Sequence, residues 1–169
     1  MKKIKQYTNI KWLPDNSTMD IILTDNIIES FGKSTSVFSF IINKKSNTII
    51  LLKHADKTRG YDIPGGHVEE GESIVEALHR EVMEETGAII KNERMIGIQL
   101  IAKDKPEKLY PDLISHQVFF VAELDSLTNN ELEVDSLGII EIDIQQYHNT
   151  INSNSNIYLK ELFDCLELI

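Results

Sequence analysis

The sequence has little cysteine and lacks a long apolar run, and both shortages narrow the class of protein. Cys165 is the only cysteine among 169 residues, which excludes a framework of internal disulfides and fits a reducing compartment. No stretch approaches the roughly 18 consecutive apolar residues of a membrane-spanning helix. The basic start of the chain (Lys2, Lys3 and Lys5) is followed by polar residues and not by an apolar signal region. We therefore expect a cytoplasmic protein that does not contact a membrane.

Positive charge is also scarce. The chain has 17 lysines and arginines against 27 aspartates and glutamates, which gives a net charge of −10. A general nucleic-acid binder needs a basic surface, so this balance argues against that class of partner. It does not argue against a phosphorylated small molecule as the substrate, because bound metal ions supply positive charge locally. The length and the 41% hydrophobic content fit one globular domain with its own core.

Apolar, β-branched segments on both sides of one helix predict an α/β fold with a mixed sheet. Residues 1–33 predict a hairpin, with strands over 4–13 and 19–28, which extends the core sheet. Alternatively, this hairpin forms a homodimer contact or one wall of a substrate pocket. Residues 34–145 predict the core and residues 146–169 a C-terminal helix. The core segments are strands at 34–43 and 48–53, one or two strands over 88–101, a central strand at 113–124 and a strand at 137–144.

The helix in the middle of the chain, predicted over about 73–86, has clear local signals. Ser73 and Glu76 form the pattern of a capping box at its start. Gly87 suits the left-handed position that ends many helices. An apolar stripe made of Ile74, Leu78 and Val82, with Val75 beside it, can pack on a sheet.

The last two turns of this helix are dense in charge. Glu81, Glu84 and Glu85 are three or four residues apart, so they point to one side, with Arg80 beside them. Like charges at these spacings repel one another, and the helix dipole disfavours negative charge near the C-terminal end. A solvated acidic face is one explanation of the cluster. A bound divalent cation would remove both penalties, and oxygen-only ligands suit Mg²⁺ or Mn²⁺.

This stretch resembles the Nudix box, G-x5-E-x7-R-E-U-x-E-E-x-G-U, in which U is a bulky aliphatic residue. The matching residues are Gly66, Glu72, Arg80, Glu81, Val82, Glu84, Glu85 and Gly87. Every fixed letter matches, and only Ala88, in the last U position, is smaller than usual. The resemblance implies a Nudix-type α/β/α sandwich with a catalytic helix and a C-terminal helix.

The resemblance also implies an activity, namely metal-dependent hydrolysis of a nucleoside diphosphate linked to another group. It implies that Glu81 and Glu85 bind Mg²⁺ or Mn²⁺, with Glu84 as a third ligand or as the holder of a metal-bound water. A backbone carbonyl at Gly65 or Gly66 would complete the ligand set. Arg80 would orient the carboxylates, with Glu72 as its partner. The alternative is a Nudix-fold module that senses a nucleotide without turnover, although such a module could lose carboxylates that this chain keeps.

The general base and the substrate-binding residues stay open at this point. Acidic residues on or after the predicted central strand are candidates for the base, namely Glu123, Asp125, Glu131 and Glu133. Residues near the box or in the following loop are candidates for substrate binding, namely Arg59, Tyr61, Gly65 and Tyr110. Tyr7, Trp12, Phe38 and Phe119 are further candidates for stacking on a base. The identity of the group linked to the nucleotide is not predicted.

Overall fold

The computed structural model describes residues 1–27, 29–54, 60–106, 111–128, 136–151 and 158–166 of the chain. Nine strands lie in these ranges: β1 Lys2–Thr8, β2 Thr18–Leu23, β3 Lys33–Asn43, β4 Thr48–His54, β5 Tyr61–Asp62, β6 Gly65–His67, β7 Ala88–Ala102, β8 Ile114–Leu127 and β9 Ser136–Asp143. The helices there are α1 Ile74–Thr86, α2 Tyr147–Thr150 and α3 Lys160–Asp164, with short 3₁₀ turns at Glu29–Phe31 and Ile144–Gln146.

One mixed sheet joins these strands. The order is β1-β2-β7-β8-β3-β4-β5, with β6 paired to β3 and β9 paired to β4. The pair β3–β8 is parallel, whereas the other pairs are antiparallel. The prediction of a central strand over 113–124 is confirmed, because β8 lies between β7 and β3. The segment 88–101 is one long strand and not two.

Successive side chains of the central strands point to opposite faces of the sheet. Both faces are therefore apolar, and each is covered by another part of the chain. We call the two sides the α1 face and the C-terminal face. The core of the α1 face includes Val37, Ile41, Ile50 and Val118 from the sheet and Ala77, Leu78 and Val82 from α1. The core of the C-terminal face includes Phe40, Ile49, Leu51 and Phe119 from the sheet and Tyr147, Leu162 and Phe163 from the end of the chain. This three-layer arrangement confirms the predicted α/β/α sandwich.

The N-terminal hairpin extends the sheet, as its first interpretation predicts. Its second strand, β2, pairs with β7 along its whole length, from Thr18 opposite Ala102 to Leu23 opposite Gly97. Both strands are shorter than predicted. The homodimer alternative stays a prediction.

The C-terminal segment differs from the single helix predicted over 146–169. Its described parts hold two short helices, α2 and α3. α2 ends because Ile151 leaves the helical region of backbone space, with φ −85° and ψ 89°. An Asn- and Ser-rich stretch follows in the sequence, and such residues compete with helical backbone hydrogen bonds. None of the helices in the described ranges is long and apolar enough to span a membrane, and the cytoplasmic location stays a prediction.

Contacts tie the end of the chain to the hairpin. Glu161 on α3 accepts hydrogen bonds from Lys5 Nζ and Tyr7 Oη, both at 2.5 Å. The Tyr7 ring packs edge-on against Tyr158, with 4.7 Å between ring centroids. Gly97 on β7 leaves no room for a side chain, since an added Cβ would lie 2.6 Å from the carbonyl oxygen of Ile22. The first and last described segments therefore pack as one unit on the sheet.

Helix α1 begins and ends where its sequence signals predict. The Ser73 hydroxyl accepts from the Glu76 N–H at 3.2 Å, and Glu76 accepts from the Ser73 N–H at 2.9 Å, which completes the capping box. Gly87 has φ 67°, the left-handed conformation, and its N–H donates to the Met83 carbonyl. The predicted apolar stripe differs from the structure at Val75, whose side chain is 42% exposed.

Removal of this N-terminal cap tests its contribution to stability. We expect Ser73→Ala to lower the free energy of unfolding by about 1 kcal/mol, because the substitution leaves the N–H of Glu76 without its acceptor. Ser73→Thr keeps a hydroxyl and should lose much less. Urea unfolding followed by circular dichroism measures both variants. Equal stability of wild type and Ser73→Ala would contradict this assignment of the cap.

Candidate active site

A glycine turn sits directly against the acidic end of α1. Strand β6 pairs with β3, which places Gly65 opposite Phe38 and Gly66 opposite Val37. The Gly65 N–H donates to Glu85 Oε2 at 2.8 Å. A Cβ on Gly66 would lie 2.5 Å from the carboxyl carbon of Glu81. Glycine is therefore required at this position for the Glu81 carboxylate to lie on the backbone.

Arg80 lies at the centre of the acidic cluster and contacts four groups. Its guanidinium forms a two-pronged ion pair with Glu72, through Nε at 2.9 Å and Nη2 at 3.0 Å. Nη1 donates to Glu81 at 2.9 Å and to Glu84 at 3.0 Å. Nη2 also donates to the His67 carbonyl at 2.9 Å. The predicted partnership of Arg80 and Glu72 is thus present, and one cation orients two of the three neighbouring carboxylates.

These contacts shift two pKa values in the directions expected of a strong ion pair. The hydrogen bonds that Arg80 donates to Glu72, and then to Glu81 and Glu84, raise the pKa of Arg80, although partial burial opposes the shift. The Arg80 hydrogen bond lowers the pKa of Glu72 below its ordinary value of 4.5. Both side chains therefore stay charged over the physiological range.

The carboxylates open into a large cleft of about 850 Å³. Its acidic wall contains Glu69, Glu81, Glu84 and Glu85, and its floor contains Gly65 and Gly66. Two cations, Arg80 and Lys103, also line it. A cleft of this size falls within the range of small-molecule sites, and its mixture of charges suits an anionic ligand that arrives with a metal ion.

The chemistry of this wall fits a hard divalent cation. Carboxylate oxygens and a close backbone carbonyl are the donors that Mg²⁺ and Mn²⁺ prefer. In the parts of the chain that the structure describes, no group of three or more His, Cys, Asp and Glu side chains is arranged to hold a metal ion. Arg80 holds Glu81 and Glu84, and the Gly65 N–H holds Glu85. A metal ion that binds these oxygens would therefore have to replace their present hydrogen bonds to Arg80 and to the Gly65 N–H.

The structure does not bring every predicted residue to the cleft. Glu123 lies on β8 and pairs with Lys44 at 2.8 Å. It is six residues beyond Gln117, which lines the cleft, or about 20 Å along the strand, so it is a poor candidate for the base. Asp125, further along β8, pairs with Lys91 at 2.5 Å. Tyr61 pairs with Lys53 and packs against the C-terminal face. Four predicted residues, Arg59, Tyr110, Glu131 and Glu133, lie outside the described residues.

Sequence reasoning missed several residues that line the cleft. Lys103 follows β7 directly, lines the cleft and is only 8% exposed. Ser115 and Gln117 also line the cleft, from β8. Gln117 had no clear signal in the sequence, because it follows the polar residues Ser115 and His116 and comes just before the apolar run of β8. The cleft also receives Trp12 and Phe38, two of the predicted stacking residues.

The ion pair of Arg80 and Glu72 predicts a specific pH dependence of stability. Because folding lowers the pKa of Glu72, its contribution is complete above the ordinary value of 4.5 and is lost as the pH falls through the folded pKa. Glu72→Gln should therefore be less stable than wild type at neutral pH, and the difference should shrink below about pH 4.5. Thermal melts from pH 3 to 7 (roughly the range over which a carboxylate titrates), with Glu70→Gln as the control, measure it. A difference that does not vary with pH would contradict the pairing.

Comparisons with known proteins agree with this geometry. An ADP-ribose pyrophosphatase of Methanocaldococcus jannaschii is 42% identical over 59 residues, which cover 34% of this chain and 35% of the relative. An NAD-capped RNA hydrolase of Salmonella heidelberg is 30% identical over 105 residues, which cover 62% of this chain and 36% of the relative. The matched stretches thus span about a third of the length of these curated relatives.

A solved structure and a family model extend the match over most of the chain. The crystal structure of a pyrophosphohydrolase of Bacillus subtilis is similar with a TM-score of 0.67, at 22% identity and with 100% of both chains covered. At this identity the likeness shows the fold alone. The family model described as the NUDIX domain matches residues 32–153, the range that contains the glycine turn, α1 and the core strands. The chain belongs to the NUDIX family.

Proposed function

We propose that this chain hydrolyses a pyrophosphate bond in a nucleoside diphosphate linked to a second group, with Mg²⁺ or Mn²⁺ as its cofactor. The observation that carries the proposal is the cleft that Glu81, Glu84 and Glu85 line together with the glycine turn. Nudix hydrolases generally need divalent cations. The names of the two curated relatives, a pyrophosphatase and a hydrolase of capped RNA, support the same class of reaction.

Three carboxylates and one carbonyl are the proposed metal ligands. Glu81 and Glu85 would bind the ion directly together with the carbonyl of Gly66 or Gly65, and Glu84 would be a third ligand or would hold a metal-bound water. A bound divalent cation neutralises charge on the pyrophosphate and makes an attacking water easier to deprotonate. With a metal ion bound to the carboxylates, the contacts of Arg80 with Glu81 and Glu84 would weaken, while its paired contacts with Glu72 would keep it in place.

The remaining charged groups of the cleft receive the phosphates and the proton. Lys103 and Arg80 supply positive charge in a chain whose net charge is −10. Of the three glutamates that Arg80 contacts, Glu84 has the most exposed side chain, at 43%, compared with 12% for Glu81 and 16% for Glu72. Exposure lets Glu84 exchange a proton with solvent, so we assign to it the acceptance of the proton from water. The candidate bases Glu131 and Glu133 stay predictions.

Loss of one proposed ligand tests the reaction class. We expect Glu81→Gln to lower the turnover of nucleotide substrates by at least about 100-fold, because metal stabilisation of the transition state is worth several kcal/mol. The measurement is release of phosphate or pyrophosphate from nucleoside triphosphates, ADP-ribose, diadenosine polyphosphates and NADH, with Mg²⁺ or Mn²⁺. Glu70→Gln makes the same type of substitution at a glutamate in the loop before α1, and this control should keep wild-type activity.

Two results of this experiment would count against the proposal. Full activity of Glu81→Gln would remove Glu81 from the ligand set. No turnover of any substrate by wild type, together with tight nucleotide binding, would favour the sensor alternative.

Metal binding can be measured without any substrate. Gly66→Ala places a methyl group against the Glu81 carboxylate, so that side chain has to move. We expect the affinity for Mn²⁺, measured by electron paramagnetic resonance, to fall at least about tenfold, which corresponds to ~1.4 kcal/mol. A melting curve checks that the variant is folded. Unchanged Mn²⁺ affinity in a folded variant would contradict a metal site at the glycine turn.

A further inference from the structure

A second, smaller pocket continues from the carboxylate cleft onto the C-terminal face. Its volume is about 250 Å³, and Trp12, Phe38 and Gln117 line both cavities. Pockets for whole drug-sized ligands start at about 300 Å³. The smaller cavity therefore suits one ring system, while the cleft beside it has room for a chain of phosphates.

Aromatic rings form the walls of this pocket, which we call the ring pocket. Phe38 and Phe119 stack on each other, with 5.4 Å between centroids and 18° between planes. Trp12 lines the same pocket and is 47% exposed, so part of its ring surface is open. A Cβ on Gly65 would lie 2.7 Å from the Phe38 ring, which places the aromatic wall directly beside the glycine turn. Stacking on such a wall is worth about 1–3 kcal/mol per base and is available to every base.

Polar groups at the same wall can distinguish one base from another. Asp62 lines the ring pocket, and its Oδ1 accepts from the Ile63 N–H at 2.9 Å. Its Oδ2 is 3.9 Å from His54 Nε2, which is too far for a hydrogen bond. His54 is buried, and among the described residues neither of its ring nitrogens has a hydrogen-bond partner. The contact with His54 is therefore not a hydrogen bond, and Oδ2 of Asp62 can accept a hydrogen bond from a ligand.

Two glutamines add donors on the neighbouring strands. Gln99 on β7 and Gln117 on β8 are directly opposite each other in the antiparallel register, and both line the ring pocket. Gln99 is 3% exposed, and its amide nitrogen donates to the Tyr158 carbonyl at 3.5 Å. Each amide offers both a donor and an acceptor. The pocket thus combines a carboxylate that only accepts with amides that can donate.

This combination selects the edge of guanine. Guanine presents two adjacent donors, N1–H and the 2-amino group, which one carboxylate can accept, and it presents O6 and N7 as acceptors for amides. Adenine places its N1 acceptor beside its single amino group, and uracil has an acceptor on each side of its one N–H. Both would bring an acceptor toward the carboxylate. We propose that the ring pocket binds the guanine base of the substrate and that Asp62 is the residue that determines this specificity; this rests on the proposed function.

The single tryptophan of the chain provides the measurement. Because Trp12 lines the ring pocket, its fluorescence reports a base that stacks there, with neither metal nor turnover required. Titration of wild type with GMP, AMP, CMP and UMP should give a dissociation constant for GMP at least about fivefold below the others, a difference of ~1 kcal/mol. Equal affinities for GMP and AMP would overturn the proposal, whether or not the protein is active.

Variants of the two key residues separate selectivity from stacking. In Asp62→Asn one acceptor oxygen is replaced by a donor, so the preference for GMP over AMP should disappear. Asp15→Asn, an exposed change in the turn after β1, should keep the wild-type preference. Trp12→Phe should weaken the binding of all four mononucleotides by similar factors, as measured by calorimetry.

The outcomes also distinguish this inference from the proposed function. Unchanged preference in a folded Asp62→Asn variant overturns the role of Asp62, while hydrolysis by wild type would still support the reaction class. Selective GMP binding by a protein that hydrolyses nothing would support the ring pocket and count against the proposed function. Should Asp62→Asn fail to fold, the selectivity of wild type alone decides the proposal.

Discussion

The interaction of Arg80 with its acidic neighbours is the constraint on which the candidate site depends. Four negative or partly negative groups converge on one guanidinium, and they come from the loop before α1, from β6 and from α1 itself. A single exposed ion pair is worth at most about 1 kcal/mol, so the value of this network lies in position more than in stability. Without it, like charges on one helix face would move apart, and the carboxylates would no longer share one side of the cleft.

The sheet determines where this network lies. Alternation along β3 and β8 sends one set of side chains to α1 and the other to the C-terminal segment, so that both faces are filled. Strand β6 adds only three residues beside β3, yet this pairing brings Gly65 and Gly66 to the acidic end of α1. The carboxylates need a helix for their spacing and a sheet edge for their approach to the glycine turn. The sandwich supplies both at one point.

Local signals in the sequence predicted local structure well. The capping box, Gly87 and the hairpin of β3 and β4 depend on residues close together in the chain, and the structure shows each of them. The C-terminal helix was predicted too long, because apolar spacing alone does not reveal where a helix ends, as α2 does after Thr150.

Contacts between distant segments were much harder to predict. Lys103, Gln117 and Trp12 meet at the cleft although they come from three separate parts of the chain. Tyr61 is only four residues from the glycine turn, but it packs against the C-terminal face, whereas its neighbour Asp62 lines the ring pocket. Which of two adjacent residues reaches a site depends on strand register, and register is set by tertiary pairing.

The junction between the two ends of the chain has a consequence for how such a protein can diversify. Trp12, Tyr158 and Leu159 line the ring pocket from the first and last described segments, whereas the carboxylates lie on α1. Insertions or substitutions in the end segments can therefore reshape this pocket while the carboxylates on α1 keep their geometry. The part of the ring pocket that the two end segments supply can thus vary on its own, whereas the part that Phe38, Asp62 and Gln117 supply is fixed by the core strands.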